Sequence, residues 1–248
     1  MTVKIFDTKS PIISLITATF NAVEHLPRLI ASLRSQTNKN FEWVVADGAS
    51  TDGTLEMLHR VDDLNVIVDS RPDFGIYDAL NRAISICSGE YYLVIGSDDI
   101  IYNDSISNFF LYISQFECDI VTTLVSYRDG AILAPKKRFK FITGQNYYIS
   151  VHAVGCLIKK SLHERFGLYS KSFPIGADYL FLKTVGDAGC KIHQASFVSG
   201  EFGHQGLSNI DYLCSLTDVY RAQIKTGENK LLQTLIFLTR LLKNWNKF

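Results

Sequence analysis

Residues 91–99 read YYLVIGSDD, an apolar run that ends abruptly in glycine, serine and two aspartates. A short apolar run closed by turn-forming residues is typical of a buried strand. The same pattern occurs at 12–19, 41–46 and 65–69, and a segment with helical character follows each of these runs. Strands that alternate with helices at this spacing predict a mostly parallel sheet with right-handed crossovers, so the expected fold class is α/β.

The helices are predicted at 21–35, 54–59 and 76–87. In the first of them, Asn21 is a suitable N-cap, and Glu24 three positions later completes a capping-box pattern. Apolar residues recur on one face of the first and third helices, which predicts that this face packs against the sheet.

Polar residues follow three of the predicted strands directly, at 17–21, 47–52 and 97–99. In an open α/β sheet, ligands bind in the crevice outside the carboxyl ends of the strands. We therefore expect these three clusters, although distant in sequence, to converge on one ligand-binding crevice.

The second half of the chain is less regular and contains no internal repeat. Its predicted strands lie at 120–127, 131–133, 151–158 and 191–197, and its predicted helices begin at Ser161, cover 177–188 and continue from Leu207.

The 248 residues carry 25 basic and 25 acidic side chains, so the formal net charge is zero. This balance argues against a general nucleic-acid-binding protein, because neutralising phosphates requires a basic surplus. With 47% apolar residues the chain can bury a full core without disulfides or metals. We expect one large domain, or one domain with an appendage.

The five cysteines form no CxxC pair, which argues against a zinc site and favours a reducing compartment. Residues 1–10 include Lys4, Asp7 and Lys9 and show no apolar stretch of signal-peptide length. No window reaches the roughly 18 apolar residues needed to cross a bilayer. The expected location is the cytoplasm, including the cytoplasmic face of a membrane.

Asp98 and Asp99 directly follow a buried strand, where two adjacent carboxylates repel each other unless a cation or hydrogen bonds stabilise them. Carboxylates suit Mg²⁺ or Mn²⁺, and Mg²⁺ typically combines one or two of them with phosphate oxygens. The alternative is a helix N-cap. Asp47 repeats the pattern after its own strand, with a turn before Gly48 as the alternative. Neither GxGxxG nor GxxxxGK[ST] occurs, so a nucleotide would be held through metal and side chains.

Three stretches, ISLITATFN at 13–21, FEWVVADGASTDG at 41–53 and DFGIYDALNRAISICSGEYYLVIGSDD at 73–99, together resemble the family 2 glycosyltransferases. The resemblance is specific because separate motifs occur in the family's order, and it continues more loosely to about residue 208. It implies a GT-A fold over 1–208, with a nucleotide-sugar half at 1–100 and an acceptor half at 101–208. Residues 209–248 would form a helical extension.

The resemblance also implies roles for individual residues in binding a nucleoside-diphosphate sugar, with a UDP-sugar favoured. The segment beside the base and ribose is matched by Thr17, Thr19 and Asn21, the base-binding aspartate by Asp47, and the acid of the following turn by Asp52. The stretch near the diphosphate and donor sugar is matched by Gly75, Asp78, Asn81 and Arg82.

A site for Mn²⁺ or Mg²⁺ is implied at Ser97, Asp98 and Asp99, with Asp99 as the direct ligand and Asp98 as its partner toward ribose or metal. Gly96 stands where many family members have a further aspartate. His204 matches a histidine in a loop that closes over the diphosphate or metal, and the alternative is a structural histidine. His152 is expected in the acceptor wall.

Asp178 matches the family's catalytic base, which often follows a glutamate at a helix start; here Ala177 replaces the glutamate. The alternative for Asp178 is an N-cap. As base, it would take the proton of an acceptor hydroxyl while Arg82 and the metal neutralise the leaving diphosphate. The implied reaction inverts the sugar's configuration. A non-catalytic sugar-nucleotide-binding or scaffold subunit of a glycan assembly complex is the alternative function.

The family resemblance suggests a lipid-diphosphate-linked saccharide acceptor, as in bacterial O-antigen, capsule or exopolysaccharide synthesis. Residues 135–140 (PKKRFK) are either a solvated loop or a contact with an anionic lipid. Residues 230–248 (KLLQTLIFLTRLLKNWNKF) have four basic residues, no acid, many leucines and Trp245. This composition fits a helix on the inner leaflet of the inner membrane, or equally one packed on the domain or on a second copy in a homodimer.

Overall fold

The computed structural model describes residues 13–203 and 211–247. The parallel half of the sheet is as predicted, with strands joined by helices at the expected places. Its strands are β1 Ile13–Thr19, β2 Phe41–Asp47, β3 Val66–Ser70 and β4 Tyr91–Val94, and its helices are α1 Leu26–Arg34, α2 Thr54–His59 and α3 Ile76–Ile86. The strands lie in the order β3-β2-β1-β4 and all three pairings are parallel.

Helix α1 begins later than predicted, because Asn21 does not cap it. Asn21 has a positive φ of 49° and its side chain accepts a hydrogen bond from the Thr51 amide, in the neighbouring loop. The helix starts at Leu26, and Pro27 occupies its first turn, where a missing N–H removes no helical hydrogen bond. The segment from 20 to 25 is thereby kept for contacts at the sheet edge.

The second half extends the same sheet. Its elements are β5 Ile100–Ile101, α4 Ser105–Gln115, β6 Ile120–Tyr127, β7 Ile132–Leu133, α5 Lys140–Thr143, β8 Cys156–Lys159, α6 Leu162–Phe166, α7 Ala177–Asp187, β9 Ile192–Phe202, α8 Tyr212–Lys225 and α9 Lys230–Lys243. Beyond β4 the strand order continues β8-β6-β9-β5, and β7 pairs with β6. Strand β8 is antiparallel to both β4 and β6, so the described sheet is mixed.

Two strands of this half differ from prediction. The strand expected at 151–158 starts only at Cys156, because Val154 has a positive φ of 54° and its amide bonds to the Val94 carbonyl. The strand expected at 191–197 extends to Phe202, which brings its end to β5. The irregular stretch before Cys156 places His152 beside α7 rather than in the sheet.

Apolar residues fill both faces of the sheet. Ile16 of β1 packs in a cluster with α3 and α7, whereas its neighbours Ile13 and Leu15 pack in a second cluster with α1 and α4. This alternation produces an α/β/α arrangement in which the strand ends remain open at the edges. The boundary predicted at 208/209 lies outside the described residues. None of the described helices is long and apolar enough to cross a bilayer.

Candidate functional site

The carboxyl ends of β1, β2 and β3 meet around Asp47. Its carboxylate accepts hydrogen bonds from Thr19 Oγ1 (2.9 Å), Ser70 Oγ (2.8 Å), and both Oγ (2.5 Å) and the amide (2.9 Å) of Ser50. Asp47 is fully buried. Burial alone would raise the pKa of Asp47, but these hydrogen bonds outweigh it and lower the pKa below its ordinary value. Asp47 is therefore a fixed anion at the strand ends.

Asn21 and Asp52 join the loops around this carboxylate. The Asn21 amide donates to Ser50 Oγ at 2.8 Å, and Asp52 accepts from the Val23 amide at 3.1 Å and from Thr54. These contacts bring three of the predicted residues, Thr19, Asn21 and Asp52, close to Asp47. Thr17 is different, because it is fully buried and its hydroxyl accepts from Trp43 Nε1 at 2.9 Å. Its side chain belongs to the core, although the resemblance placed it beside the base and ribose.

Arg82 approaches the same edge from α3. Its guanidinium contacts Asp69 at 3.0 Å and Asp73 at 3.6 Å and donates to the Asp47 carbonyl at 3.1 Å. Its Nε is buried and has no hydrogen-bond partner among the described residues. Arg82 thus already shares its charge with two acids, and it would have to exchange one of them to contact a diphosphate.

The loop before α3 turns at Gly75, whose φ of 105° and ψ of 175° suit only glycine. The preceding Asp73 accepts from the Gly75 amide at 2.9 Å, and Phe74 between them is 92% exposed. Asp78 pairs with Lys171 at 2.5 Å, and the Lys171 hydrogen bond is the main reason why the pKa of Asp78 is lowered. The loop is thus tied to the acceptor half.

Asn81 makes a second connection between the halves. Its amide nitrogen donates to the Tyr169 carbonyl and its oxygen accepts from the Tyr169 amide, both at 2.9 Å. Since both ends of this buried side chain are occupied by backbone, Asn81 is a structural residue in this arrangement, whereas the resemblance placed it near the diphosphate and donor sugar.

Asp99 is almost fully buried, and each of its oxygens accepts a backbone amide at 2.7 Å, from Gly96 and from Gly203. Burial raises the pKa of Asp99 to about 7, against the lowering effect of the two amides. Asp99 therefore joins the end of β4 to the end of β9. The resemblance made it the direct metal ligand, but its oxygens are engaged in the fold.

Asp98 and Ser97 are only partly buried, which makes Asp98 the more accessible carboxylate. A Cβ atom on Gly203 would lie 2.0 Å from Asp98 Oδ2, and one on Gly96 would lie 3.1 Å from Asp98 Oδ1. The two glycines therefore make room for the Asp98 carboxylate. A Cβ at 96 would also lie 3.0 Å from Asp99 Oδ2, so a side chain there would press on both carboxylates.

The residues around Asp98 fit a divalent cation that takes most of its ligands from a substrate. No cluster of three or more acidic, histidine or cysteine residues lies within 13–203 and 211–247, so these residues form no complete protein cage. A Mg²⁺-type ion needs only one or two carboxylates when phosphate oxygens supply the rest. His204, the third predicted ligand, lies outside the described residues.

Asp178 lies in the first turn of α7 with its side chain 17% exposed. Its Oδ1 accepts from the Tyr77 hydroxyl at 2.5 Å, and His152 Nδ1 lies 3.5 Å from its Oδ2. It does not cap the helix, since α7 has no side-chain cap. Asp187 at the other end of α7 is bound by Lys183 at 2.6 Å and by Tyr148 at 2.6 Å. Asp178 is therefore the acid of this helix that is left for chemistry.

Sequence reasoning missed Tyr77 as a partner of Asp178, and it also missed Asp218. This buried acid of α8 accepts from the amides of Ile175 and Gly176, both at 3.1 Å, and pairs with Arg221 at 2.9 Å. Asp218 thereby fixes the start of α7 and the position of Asp178. The contact spans a long stretch of sequence, and no local pattern signals it.

The fold and the site define a GT-A type α/β protein. The family model described as "Glycosyl transferase family 2" matches residues 14–176. The chain belongs to glycosyl transferase family 2.

Individual relatives agree with this assignment. An uncharacterized glycosyltransferase of Haemophilus influenzae is 25% identical over 201 residues, covering 73% of this chain and 62% of the relative. A PGL/p-HBAD biosynthesis glycosyltransferase of Mycobacterium bovis is 34% identical over 112 residues, which cover 44% of each protein. The match thus spans less than half of the mycobacterial relative.

Solved structures confirm the fold. Staphylococcus aureus TarS residues 1–349 in complex with UDP superposes with a TM-score of 0.70 at 20% identity, covering 93% of this chain and 72% of that one. A mannosyltransferase from Pyrobaculum calidifontis, in complex with GDP-Man and Mn²⁺, gives 0.69 at 18% identity, covering 95% and 70%.

Proposed function

We propose that this glycosyltransferase moves a sugar from a nucleoside-diphosphate sugar, with a UDP-sugar favoured, to a hydroxyl of a saccharide acceptor. The observation that carries the proposal is the hydrogen bond from Tyr77 to Asp178. Tyr77 stands two residues after Gly75 in the loop and helix assigned to the donor sugar. The candidate base is therefore hydrogen-bonded to the helix that directly follows the donor-sugar loop, and a direct transfer requires the base and the donor to lie close together.

In this mechanism Asp178 takes the proton of the acceptor hydroxyl. The hydroxyl oxygen then attacks the anomeric carbon from the side opposite the diphosphate, so a single displacement inverts configuration. Asp47 is buried with both oxygens bonded within the fold, so it would act by holding Thr19 and Ser50 in place at the base end of the nucleotide, with Asn21 nearby. Asp98, with His204, would hold Mn²⁺ or Mg²⁺, which when bound neutralises charge on the leaving diphosphate. Asp99 acts by fixing the loop that carries Asp98.

Comparison with the solved structures supports a nucleotide-sugar donor without choosing the nucleotide. TarS binds UDP and UDP-GlcNAc, and the archaeal mannosyltransferase binds GDP-Man with Mn²⁺. Calorimetry with UDP-, GDP-, dTDP- and CMP-sugars, with and without Mn²⁺, tests the proposal. We expect metal-dependent binding of one nucleotide class by the wild type and by the exposed-turn control Asp129→Asn, and its loss in Asp98→Ala.

Binding of none of these donors would contradict the proposal. Donor binding without transfer to any acceptor, and unchanged glycan in a strain carrying Asp178→Asn, would favour the non-catalytic scaffold instead. Once a glycosylated product is obtained, NMR of its anomeric proton tests the stereochemistry of the transfer. An α-linked donor should give a β-linked product, and an α-linked product would contradict the single displacement.

The proposal extends to a lipid-diphosphate-linked acceptor at the cytoplasmic face of the inner membrane. Helix α9 supports this part, because its polar side faces the protein: Gln233 is buried and donates to the Phe141 carbonyl at 2.7 Å, and Arg240 donates to the Ile142 carbonyl at 2.7 Å. Its outer side carries exposed apolar residues, namely Leu231, Leu232, Leu235, Leu238, Leu242 and, just beyond the helix, Trp245.

The basic segment 135–140 directly precedes Phe141 and Ile142, whose carbonyls α9 contacts. Phe139 in this segment is 58% exposed. Lys136, Lys137 and Arg138, together with the acid-free sequence of 230–247, give this surface the charge that an anionic lipid leaflet attracts. The exposed leucines and Trp245 supply the apolar contact.

Co-sedimentation with vesicles of phosphatidylcholine, alone or mixed with phosphatidylglycerol, tests the membrane proposal. We expect binding only to the anionic vesicles, and its loss in Leu235→Glu/Leu238→Glu. The matched control Leu213→Glu, at an exposed leucine of α8, should still bind. If the chain binds neither vesicle but forms a dimer that Leu235→Glu/Leu238→Glu dissociates, a second copy of the chain covers the outer side of α9 and the membrane proposal is wrong.

A further inference from the structure

A chain of buried hydrogen bonds leads from Asp178 through the interior of the acceptor half. His152 Nε2 lies 2.9 Å from the Tyr169 hydroxyl, which lies 2.8 Å from the Tyr92 hydroxyl. Tyr92 in turn lies 2.7 Å from His163 Nε2, and His163 Nδ1 lies 3.0 Å from the Gly167 carbonyl oxygen. All four side chains are buried, so water does not interrupt the chain.

The far end of this chain fixes the direction of every hydrogen bond in it. The Gly167 carbonyl can only accept, so His163 Nδ1 carries a proton and, in the neutral ring, Nε2 accepts from Tyr92. Burial lowers the pKa of His163, which keeps its ring neutral. Tyr92 has then used its single proton, and it must accept from Tyr169. Tyr169 has likewise used its proton and must accept from His152.

His152 therefore carries a proton on Nε2. Burial lowers the pKa of His152 and so favours its neutral ring, in which Nδ1 presents a lone pair to Asp178 Oδ2 at 3.5 Å. The other oxygen of Asp178 is also short of protons. The Tyr77 hydroxyl lies 2.5 Å from Asp178 Oδ1 and 2.6 Å from the Ile175 carbonyl, but it has one proton to give. The Asp178 oxygens, His152 Nδ1 and the Ile175 carbonyl thus share the single hydroxyl proton of Tyr77. One added proton between Asp178 Oδ2 and His152 Nδ1 would supply the missing hydrogen bond.

We propose that His152 is a positioning residue for the base, held by Tyr169 as its Nε2–H tautomer so that Nδ1 shares the proton that Asp178 takes from the acceptor. This inference rests on the proposed role of Asp178. The hydrogen-bond chain thereby keeps His152 from donating to the carboxylate, and Tyr77 is the one donor recorded to it among the described residues.

The step balances within the proposed reaction. The O–H bond of the acceptor hydroxyl breaks, and the proton binds Asp178 Oδ2, where it is shared with His152 Nδ1. The electron pair of the broken bond forms the bond from the acceptor oxygen to the anomeric carbon. The bond from that carbon to the diphosphate oxygen breaks, and its electron pair leaves with the diphosphate. The proton returns to water when the product departs.

Few other groups near this pair can titrate in the neutral range. Burial lowers the pKa of His152, with Asp178 acting in the opposite direction. Tyr77 on α3, Tyr169 before α7 and Cys156 on β8 face the pair, and burial raises the pKa of each of them. His163 is the remaining neighbour and is kept neutral. No lysine or arginine is recorded in contact with Asp178 or His152 among the described residues.

The deciding experiment is ¹⁵N NMR of histidine-labelled full chain at pH 7, with His152 identified by its loss in His152→Gln. We expect Nδ1 unprotonated and Nε2 protonated in the wild type. In Tyr169→Phe, which removes the acceptor for Nε2–H, the proton should move to Nδ1 and donate to Asp178. A wild-type ring that carries a proton on Nδ1, alone or together with Nε2, would overturn the inference.

Turnover measures the functional effect. UDP-GlcNAc and GDP-Man are the probes, and the readout is release of the nucleoside diphosphate as the sugar passes to water or to an acceptor. His152→Gln and Tyr169→Phe should lower kcat by about 10- to 100-fold, part of what a general base contributes. In Tyr169→Phe the acid limb of the pH profile should shift to lower pH, because a donated hydrogen bond favours the carboxylate. KM should change little.

Tyr91→Phe is the matched control, since it removes one buried tyrosine hydroxyl bonded to the Cys118 carbonyl at 2.9 Å and leaves the chain intact. Its pH profile should equal that of the wild type. An unshifted profile in Tyr169→Phe, with the same loss of stability as in Tyr91→Phe, would mean a purely structural chain. If no donor is turned over, or Asp178→Asn remains active, the proposed function fails, while the NMR measurement still decides the protonation state of His152 and the direction of the hydrogen-bond chain.

Discussion

Asp47 in the donor half and Asp178 in the acceptor half are the same residue type in opposite hydrogen-bonding environments. Asp47 receives four hydrogen bonds, from Thr19, Ser70 and twice from Ser50. Among the described residues Asp178 receives one, from Tyr77, and lies 3.5 Å from His152 Nδ1, the nitrogen that we propose to be unprotonated. The supply of donors, rather than the carboxylate itself, thus separates a carboxylate that is fixed as an anion within the fold from the one that we propose takes a proton.

The pair Asp98 and Asp99 repeats the contrast within two adjacent positions. Asp99 accepts the amides of Gly96 and Gly203 and is almost fully buried, whereas Asp98 is partly exposed between the same two glycines. Asp99 fixes the loop, and Asp98 is the more exposed carboxylate of the two. The following predictions test these contrasts.

The largest effect on folding is expected at Asp99. Asp99→Ala leaves the buried amides of Gly96 and Gly203 without partners and should lower the free energy of unfolding by about 3 kcal/mol. Urea denaturation followed by circular dichroism measures this. Asp98→Ala is the matched control and should change the unfolding free energy by less than about 1 kcal/mol. Equal losses in the two variants would remove the distinction between the adjacent acids.

Asp98→Ala should act on binding instead. Because Asp98 is the accessible carboxylate, its loss should weaken Mn²⁺-dependent donor binding by at least about 100-fold. Binding in the absence of metal should hardly change. Calorimetry with the nucleotide sugar selected from the donor panel measures both. Wild-type metal dependence in Asp98→Ala would show that Asp98 does not hold the cation.

Replacing each aspartate by asparagine should shift stability in opposite directions. Asp47→Asn turns one acceptor oxygen into a donor amid four donors, so it should lower the unfolding free energy by about 1–2 kcal/mol. Asp178→Asn supplies amide N–H groups that can donate to His152 Nδ1 or to the Tyr77 hydroxyl. It should leave the unfolding free energy unchanged or raise it by about 1 kcal/mol. Destabilisation of both variants to the same extent would break the comparison.

The smallest effect is the pH dependence of the Asp47 contribution. Since its folded-state pKa is lowered, this stability is fully present above the unfolded value of about 3.8 and is lost as the pH falls through the lower folded value. The gap in unfolding free energy between wild type and Asp47→Asn should therefore be constant above about pH 5 and shrink below about pH 4. Urea titrations at several pH values measure the gap, and a gap that widens on acidification would contradict the assigned direction.

The sequence predicted the donor half well because its features are local. Apolar runs that end in polar residues identified β1, β2 and β4, and the parallel order of the strands then brought Thr19 beside Asp47. The error at Asn21 has a local cause as well. An asparagine suits a helix cap and a left-handed turn equally, and here the contact with the Thr51 amide decides for the turn.

The acceptor half was predictable only in part, because its site is assembled from distant contacts. Asp178 could be found by its position at a helix start and by family resemblance. Its neighbours could not: His152 reaches it from an irregular segment that the alternation of residues predicted as strand, and Tyr77 and Asp218 reach it from α3 and α8. The burial of Asp99 was also hidden, since it depends on Gly203 at the end of β9.

One paired measurement tests most directly whether the number of hydrogen-bond donors around a carboxylate distinguishes Asp47, fixed as an anion, from Asp178, proposed to take a proton. The dissociation constant of the donor with Mn²⁺ and the kcat for release of the nucleoside diphosphate are determined for Asp47→Asn and Asp178→Asn. We predict that Asp47→Asn loses affinity, and that Asp178→Asn keeps wild-type affinity while kcat falls by about 10²- to 10⁴-fold. If Asp178→Asn weakened binding as much as Asp47→Asn, or retained its turnover, the account would be contradicted.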